Sequence, residues 1–389
     1  MEYLEYQPVM NIGLLGNVSH GKSTLVKVLT GISTQKSKRE KINNSTQKLG
    51  YANCRIYEMD GRYNIEEGTL VNHFSFVDCP GHNDLIDVMM SGATLMDGAI
   101  VVIAANENPK SLKQLKQHLL TAKLLNIEKL IFVLNKCDLV SEAGCLYCME
   151  YLKEIFEEFE IDNPIVIPMS LNFGLNVNYL LEGIMCVFNP VLKEIGENTV
   201  FNISRSFDVN KPGTKLENLK GGVVGGSLLS GRLEPGDEIE IRPGEIEKDD
   251  KNFKTKAIVS RVLSIQTGEC KLEGIIPGGL MGLCLNIDPY FTKDNKLKDQ
   301  MLFKRGYGMD VYDLIRLDIE MLEDYKLSNM SKYKLYVGSG VVNSIHKDSI
   351  FKFELPKCVD ITKRILICIE LEGTLTIIGY GMFKEGRKV

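Results

Sequence analysis

The stretch Gly16-Asn17-Val18-Ser19-His20-Gly21-Lys22-Ser23-Thr24 has the residue types and spacing of a phosphate-binding loop. Its glycines let backbone N–H groups turn inward around an anion, and a helix beginning at the loop's end adds its positive terminus to the same point. Lys22 supplies a mobile cation for terminal phosphates, and the Ser23 hydroxyl can hold Mg²⁺. A second motif, Asp78-Cys79-Pro80-Gly81-His82, offers a carboxylate for a metal-bound water and, at Gly81, an N–H for a γ-phosphate. His82 stands where a side chain could orient an attacking water, or be a solvated loop histidine. The third motif, Asn135-Lys136-Cys137-Asp138, reads a base. An aspartate there can accept parallel hydrogen bonds from N1–H and the 2-amino group of guanine, donors that adenine does not present in that arrangement.

Each motif needs an element to aim it. The apolar run 11–15 reads as a buried strand before the loop, and 25–29 as the helix after it. Residues 73–78 alternate as a strand ending in Asp78. The continuous apolar runs 99–105 and 130–134 read as strands buried on both faces. Residues 111–125 have helical period, with Leu112, Leu115, Leu119 and Leu120 on one side. Helices are also expected over 89–96, 149–159 and 177–187. A strand over 164–169 leads to Ser170-Leu171-Asn172, a turn that can back a base with its amides. This alternation predicts an α/β domain with a doubly wound, mostly parallel sheet, all motifs lying at strand ends. Residues 35–51 are polar and basic without steady period, and read as a long loop around Thr46 that could close over the nucleotide.

The 389 residues allow two to four domains. A net charge of −5 argues against a general nucleic-acid binder but leaves room for a local basic patch. Ten cysteines without a disulfide framework suit a reducing compartment. Residues 1–10 lack the pattern of a secretory signal, and no run is long enough to span a membrane, so a cytoplasmic protein is expected. Cys145 and Cys148 form the one CxxC, without the second pair a zinc site would need. Residues 190–198 read as a linker. Beyond it, glycine turns and short alternating strands such as 237–241 predict a β-barrel, and strand candidates at 314–319, 333–337, 350–355 and 364–369 predict a second. The mixed charge run 245–256 reads as a solvated hairpin tip and not a binding patch. The expected domains are 1–196, 197–297 and 298–389.

A P-loop GTPase domain followed by two β-barrels, with Asp78-Cys79-Pro80-Gly81-His82 and the barrel pattern Gly231-Arg232-Leu233-Glu234-Pro235-Gly236-Asp237, resembles the translational GTPases, which include elongation factor Tu. More specific stretches are similar to the gamma subunit of eukaryotic and archaeal translation initiation factor 2. They are Lys48-Leu49-Gly50-Tyr51-Ala52-Asn53, the run from Arg205 to Gly213, Leu219 to Ser227, Ile241-Arg242-Pro243-Gly244 and the terminal Ile378-Gly379-Tyr380-Gly381.

The resemblance implies a GTPase, slow without an activating protein, that carries methionyl initiator tRNA to the small ribosomal subunit and releases it after hydrolysis. It implies alpha and beta subunits as partners, GTPase-activating and nucleotide-exchange factors, and GTP or GDP with Mg²⁺ as ligands. By position, Asn17 and Ser19, His20, Gly21, Lys22, Ser23 and Thr24 would surround the phosphates. Gly81 would join them. Ser23 and Thr46 would hold Mg²⁺, with Asp78 supporting it through water, and His82 would be catalytic. Asn135, Lys136 and Asp138 would read guanine, with Ser170, Leu171 and Asn172 behind the base. Asn44 and Tyr51 would approach the aminoacyl end of tRNA. The Tyr51 ring could stack on a base there, or pack in the core.

Departures accompany the likeness. Asn17 stands where the family usually has His, Ser45 where an apolar residue is usual, and Leu171 where Ala is common. Ser45 and Val18 match the residues flanking the path of the catalytic histidine, so control of intrinsic hydrolysis is the property most exposed to change. The family often carries a zinc knuckle after the Lys48–Asn53 stretch. Here Cys54 is the sole cysteine between Tyr51 and His73, and no zinc is expected. The competing readings are a tRNA-delivering elongation factor of the Tu or selenocysteine type and a non-hydrolysing GTP-binding scaffold.

Overall fold

A computed structural model describes residues 5–34, 49–80, 90, 92–108, 113–189, 193–211, 213–249, 252–322, 325–338, 340–371 and 374–389. The chain divides into two compact units, Met1–Val191 and Leu192–Val389.

The first unit is built on a seven-stranded sheet. Its parallel part runs β4 (Thr69–Asp78), β1 (Met10–Leu15), β5 (Gly98–Ala104), β6 (Leu130–Asn135), β7 (Ile165–Pro168). Strands β1 and β5 are buried at every position, as strands covered on both faces require. Helices α1 (Lys22–Thr30) and α4 (Val177–Val187) cover one face, where Leu25, Val26, Leu180 and Ile184 share a core with Ile12, Leu14, Ile131 and Val133. The intervening Phe132 packs on Phe156 of α3 (Glu142–Glu158) across the other face. Helix α2 (Lys113–Leu124) completes the described helices of 9 or more residues. The doubly wound sheet expected from the sequence is therefore present. Because β1, β4, β6 and β7 are parallel, Gly16, Asp78, Asn135 and Ser170 all emerge at one edge, where open α/β sheets bind ligands.

Two strands extend this sheet beyond the reading of residues 35–51 as a loop. Gly50 and Tyr51 begin β2 (Gly50–Met59), antiparallel to β4, and β3 (Arg62–Asn64) returns beside it. Asp60 and Gly61, both at positive φ, make the turn between them, the backbone that a tight hairpin demands.

The second unit contains two barrels. The first closes as β10 (Glu238–Asp249), β14 (Met301–Lys304), β8 (Val200–Phe207), β9 (Val223–Ser230), β13 (Met281–Leu285), β11 (Asn252–Thr267) and back to β10, with β12 (Cys270–Leu272) beside β11. The second closes as β15 (Val311–Met321), β18 (Ile350–Cys358), β17 (Val341–Lys347), β16 (Lys332–Tyr336), β19 (Ile365–Leu371), β20 (Thr374–Lys388) and back to β15. Closure removes exposed sheet edges. Strand β14 pairs with β8 and β10, so the first barrel extends past residue 297, where the sequence reading ended it. Residues 301–304 are a four-residue strand, apolar at Met301, Leu302 and Phe303, separated from the rest of their barrel by a turn-rich stretch, which hid the pairing. Between the barrels, Val200, Met301 and Phe303 pack with Val311 and Cys358.

Candidate functional site

The turn after β1 passes through positive φ at Gly16 (136°), Ser19 (62°) and Gly21 (109°). Alternating backbone handedness of this kind turns successive N–H groups into one concavity. The glycines are also needed for space: a Cβ on Gly16 would lie 2.1 Å from the Val102 carbonyl oxygen, and one on Gly21 2.3 Å from Asn135 Nδ2. Helix α1 starts directly afterwards. Among the described residues no side chain caps it, and its first turn holds no acid, so its leading N–H groups can serve an anion.

Lys22 is 6% exposed, and its Nζ donates to the carbonyls of Gly16 and Asn17, both at 2.7 Å. Burial pulls its ammonium down to about 8, against the opposing pull of Asp78. A desolvated cation held by its own loop favours an incoming phosphate. One turn on, the Ser23 hydroxyl donates to Asp78 Oδ2 at 2.7 Å, and Thr34 Oγ1 donates to the same oxygen at 2.5 Å. Asp78, fully buried at the end of β4, thus faces the Ser23 hydroxyl across the site.

The base end is organised by Asn135. Its Nδ2 donates to the His20 carbonyl at 2.8 Å, and its Oδ1 accepts from the Leu171 N–H at 3.2 Å. One amide side chain thereby ties the phosphate loop, the end of β6 and the Ser170–Asn172 turn together. Lys136 takes left-handed geometry (φ 63°) and leads into a single 3₁₀ turn, Cys137–Leu139, with Cys137 N–H bonded to the Met169 carbonyl. Asp138 is exposed and makes no hydrogen bond or ion pair among the described residues, while the backbone that carries it is fixed on both sides. The Ser170 hydroxyl is buried with no hydrogen-bond partner among the described residues, and Asn172 is exposed beside it. Leu171 is 4% exposed and belongs to the core beneath the loop, so the larger side chain is accommodated while its N–H serves Asn135.

Thr24 is exposed at the start of α1 and Asn17 half-buried. The His20 ring is taken up behind the loop, Nδ1 against the Val102 carbonyl at 3.0 Å and Nε2 against Glu107 at 2.9 Å. Only its backbone remains for a phosphate. Tyr51 is half-buried on β2, on the strand face opposite Ala52, Cys54 and Ile56, which enter the core. Asn44, Ser45, Thr46, Gly81 and His82 lie outside the described residues.

Three side chains in this site, Thr34, His118 and Glu107, escaped the sequence reading. Gly16 N–H donates to His118 Nδ1 at 3.2 Å. His118 sits on α2, 1% exposed, and burial pushes its pKa down to about 3, with Lys22 and His20 acting in the same direction. A neutral imidazole is required, because only the unprotonated Nδ1 can accept. The sequence signal was a histidine inside the buried stripe of Leu115, Leu119 and Ala122. Glu107, partner of His20, follows β5 in a stretch without motif character.

The region 7–190 matches the family model described as the elongation factor Tu GTP-binding domain. The whole chain is 35% identical to the eukaryotic translation initiation factor 2 subunit gamma of Encephalitozoon cuniculi, over 99% of this chain and 95% of that one. The chain belongs to the initiation factor 2 gamma-subunit family. Likeness is equally extensive to archaeal members: 35% identity to the gamma subunit of Pyrococcus abyssi over 97% of this chain and 98% of that one, and 35% to that of Methanocaldococcus jannaschii over 96% and 97%. Among solved structures, the elongation factor SelB of Methanococcus maripaludis with a GTP analogue has a TM-score of 0.76 at 22% identity, covering 98% of this chain and 80% of that one. At that identity it shows the fold.

A gamma-subunit family member is a translational GTPase, and the donor set suits the metal such a domain uses. A hydroxyl and a carboxylate suit a hard cation that keeps several waters and shares substrate phosphates. Among the described residues no group of three or more His, Cys, Asp or Glu side chains is assembled to cage an ion. None of the described helices is long and apolar enough to cross a membrane.

Proposed function

We propose that this chain is the GTP-binding subunit of a cytoplasmic heterotrimer with alpha and beta partners, and that it delivers methionyl initiator tRNA to the small ribosomal subunit. The full-length likeness to gamma subunits carries the reading, since it extends through both barrels as well as the nucleotide domain.

In this reading the backbone of Ser19 to Thr24 cradles the phosphates beside Asn17, and Lys22 exchanges its carbonyl partners for phosphate oxygens. Bound Mg²⁺ would supply neutralisation of phosphate charge. Ser23 and Thr46 would hold it, with Asp78 supporting it through water. Gly81 donates its N–H to the γ-phosphate and His82 orients the water that attacks, giving GDP and phosphate. Asp138 accepts from guanine N1–H and the 2-amino group, Asn135 and Lys136 fix the loop around the base, and Ser170, Leu171 and Asn172 back it. Asn44 and Tyr51 would approach the aminoacyl end of tRNA. Turnover is slow until an activating protein intervenes, and an exchange factor restores GTP.

Filter binding with methionyl initiator and elongator tRNAs tests the assignment. Initiator tRNA should be retained more tightly with GTP than with GDP, and elongator tRNA weakly in both. Preference for elongator tRNA would favour the Tu or selenocysteine type. Equal retention of initiator tRNA in both nucleotide states would favour a non-hydrolysing scaffold.

A further inference from the structure

Lys248 and Phe253 of the charge run at 245–256, expected to be a solvated hairpin tip and not a binding patch, form the roof of a cleft. Strands β10 and β11 pair through it, with Lys248 opposite Phe253. Their register shifts between Ile241 and Glu245, where Gly244 (φ 76°) donates its N–H to Gln300 Oε1 at 2.9 Å. A bulge bends a hairpin, and this hairpin leaves its own barrel to lie against the outer face of the second. Lys248 and Phe253 then line a cleft of about 670 Å³ with residues of β16, β17, β18 and β19.

The cleft floor has a regular plan. Register places Lys332 opposite Ile345 and Ile345 opposite Lys352, so an apolar residue, 41% exposed, lies between two cations. Lys334 projects two residues along β16 from Lys332, roughly 7 Å away at the strand rise. Glu354 and Glu370 also line the cleft, Glu354 accepting from Asn343 at 2.8 Å. Lys248, Lys332 and Lys352 make no ion pair among the described residues. Elsewhere on the barrels Lys254, Lys304, Lys384 and Lys388 are paired with Asp249, Asp237, Asp318 and Asp310. Four lysines against two glutamates leave the cleft cationic, in a chain of net charge −5, and with Phe253 and Ile345 among them it suits an anionic partner with a flat apolar face.

We propose that this cleft binds a short stretch of single-stranded RNA. Its phosphates would lie along Lys248, Lys332 and Lys352, and a base would rest on Ile345 and Phe253. Cationic grooves with interposed stacking surfaces take single strands in this way and are tolerant of sequence. The proposal is independent of the nucleotide site, because every residue in it belongs to the second unit.

The test is fluorescence anisotropy of a labelled ten-nucleotide oligouridylate with the full chain in GDP. The triple variant K248E/K332E/K352E should bind at least about 30-fold more weakly, and the log–log salt slope should flatten by roughly 2, the loss of three single-strand phosphate contacts. Phe253→Ala should weaken binding about tenfold and leave the salt slope unchanged. Unchanged GTP affinity and thermal midpoint would establish that both variants are folded. Wild-type affinity in the folded triple variant would overturn the proposal. If that variant does not fold, unchanged binding by Phe253→Ala overturns the stacking arrangement. Equal competition by an oligoglutamate peptide would show a docking site for acidic protein instead of RNA.

Discussion

The two ends of the nucleotide site are prepared differently. At the phosphate end the polar groups already have partners: Lys22 holds the Gly16 and Asn17 carbonyls, and Ser23 is bonded to Asp78. At the base end Asp138 is exposed and makes no such bond among the described residues, on a loop that Asn135 and Cys137 brace from both sides. Under the proposed function, recognition of the base would use a frame that is already in place, while phosphate binding would be an exchange of partners. Selectivity and affinity should accordingly respond to different mutations.

Lys22→Ala should give the largest effect. Losing charge-assisted bonds to two phosphates implies a fall in GTP affinity of about 10³-fold, read by titration calorimetry. Guanine selectivity should survive, measured as the ratio of GTP to ITP affinity; a collapse of that ratio would show that the ends are not separable. Asn135→Ala should affect both, since it unties His20 from Leu171. A tenfold weakening of GTP and GDP alike, with a stability loss of about 1–2 kcal/mol, is expected from two lost buried hydrogen bonds. An effect on GTP alone would place Asn135 with the phosphates.

His118→Phe separates loop support from ligand contact. It leaves the Gly16 N–H without its acceptor, costing about 1–3 kcal/mol at pH 7. The pH dependence has a defined sign. Folded His118 has its pKa pushed below the ordinary 6.5 by burial. As pH falls through 6.5 the unfolded chain takes up a proton that the folded chain refuses, so the wild type loses stability below 6.5 and not above it. The variant lacks this loss, so the gap between the two should narrow by about 1.4 kcal/mol per pH unit below 6.5. Chemical denaturation across pH 4.5–7.5 would reveal it; a constant gap would mean that His118 titrates normally.

The contrast between the two ends also explains what the sequence made legible. Gly16, Lys22, Ser23, Asp78, Asn135 and Asp138 were readable as candidates because they fall in motifs of fixed spacing, and the parallel sheet brings the motifs to one edge. The supports were not. His118 and Thr34 approach the loop through tertiary packing from other elements, and the same residues would be ordinary anywhere else. His20 lay inside a motif, yet its ring serves Glu107 and Val102. In the fold, long apolar runs such as 130–134 declared themselves. The β2–β3 extension did not, because two of its three β2 core positions, Ala52 and Cys54, are small, although the Asp60-Gly61 turn was a usable signal. The strand Met301–Lys304 was missed because pairing between distant segments leaves no local trace.

Guanine selection by an exposed carboxylate on a braced loop is put to the test by Asp138→Asn. Calorimetric titration with GTP and ITP should show wild-type protein favouring GTP, and the variant losing about 10²-fold in GTP affinity, the equivalent of a disrupted pair of charge-assisted bonds, so that the two nucleotides bind alike. An unchanged preference for GTP over ITP would contradict the account.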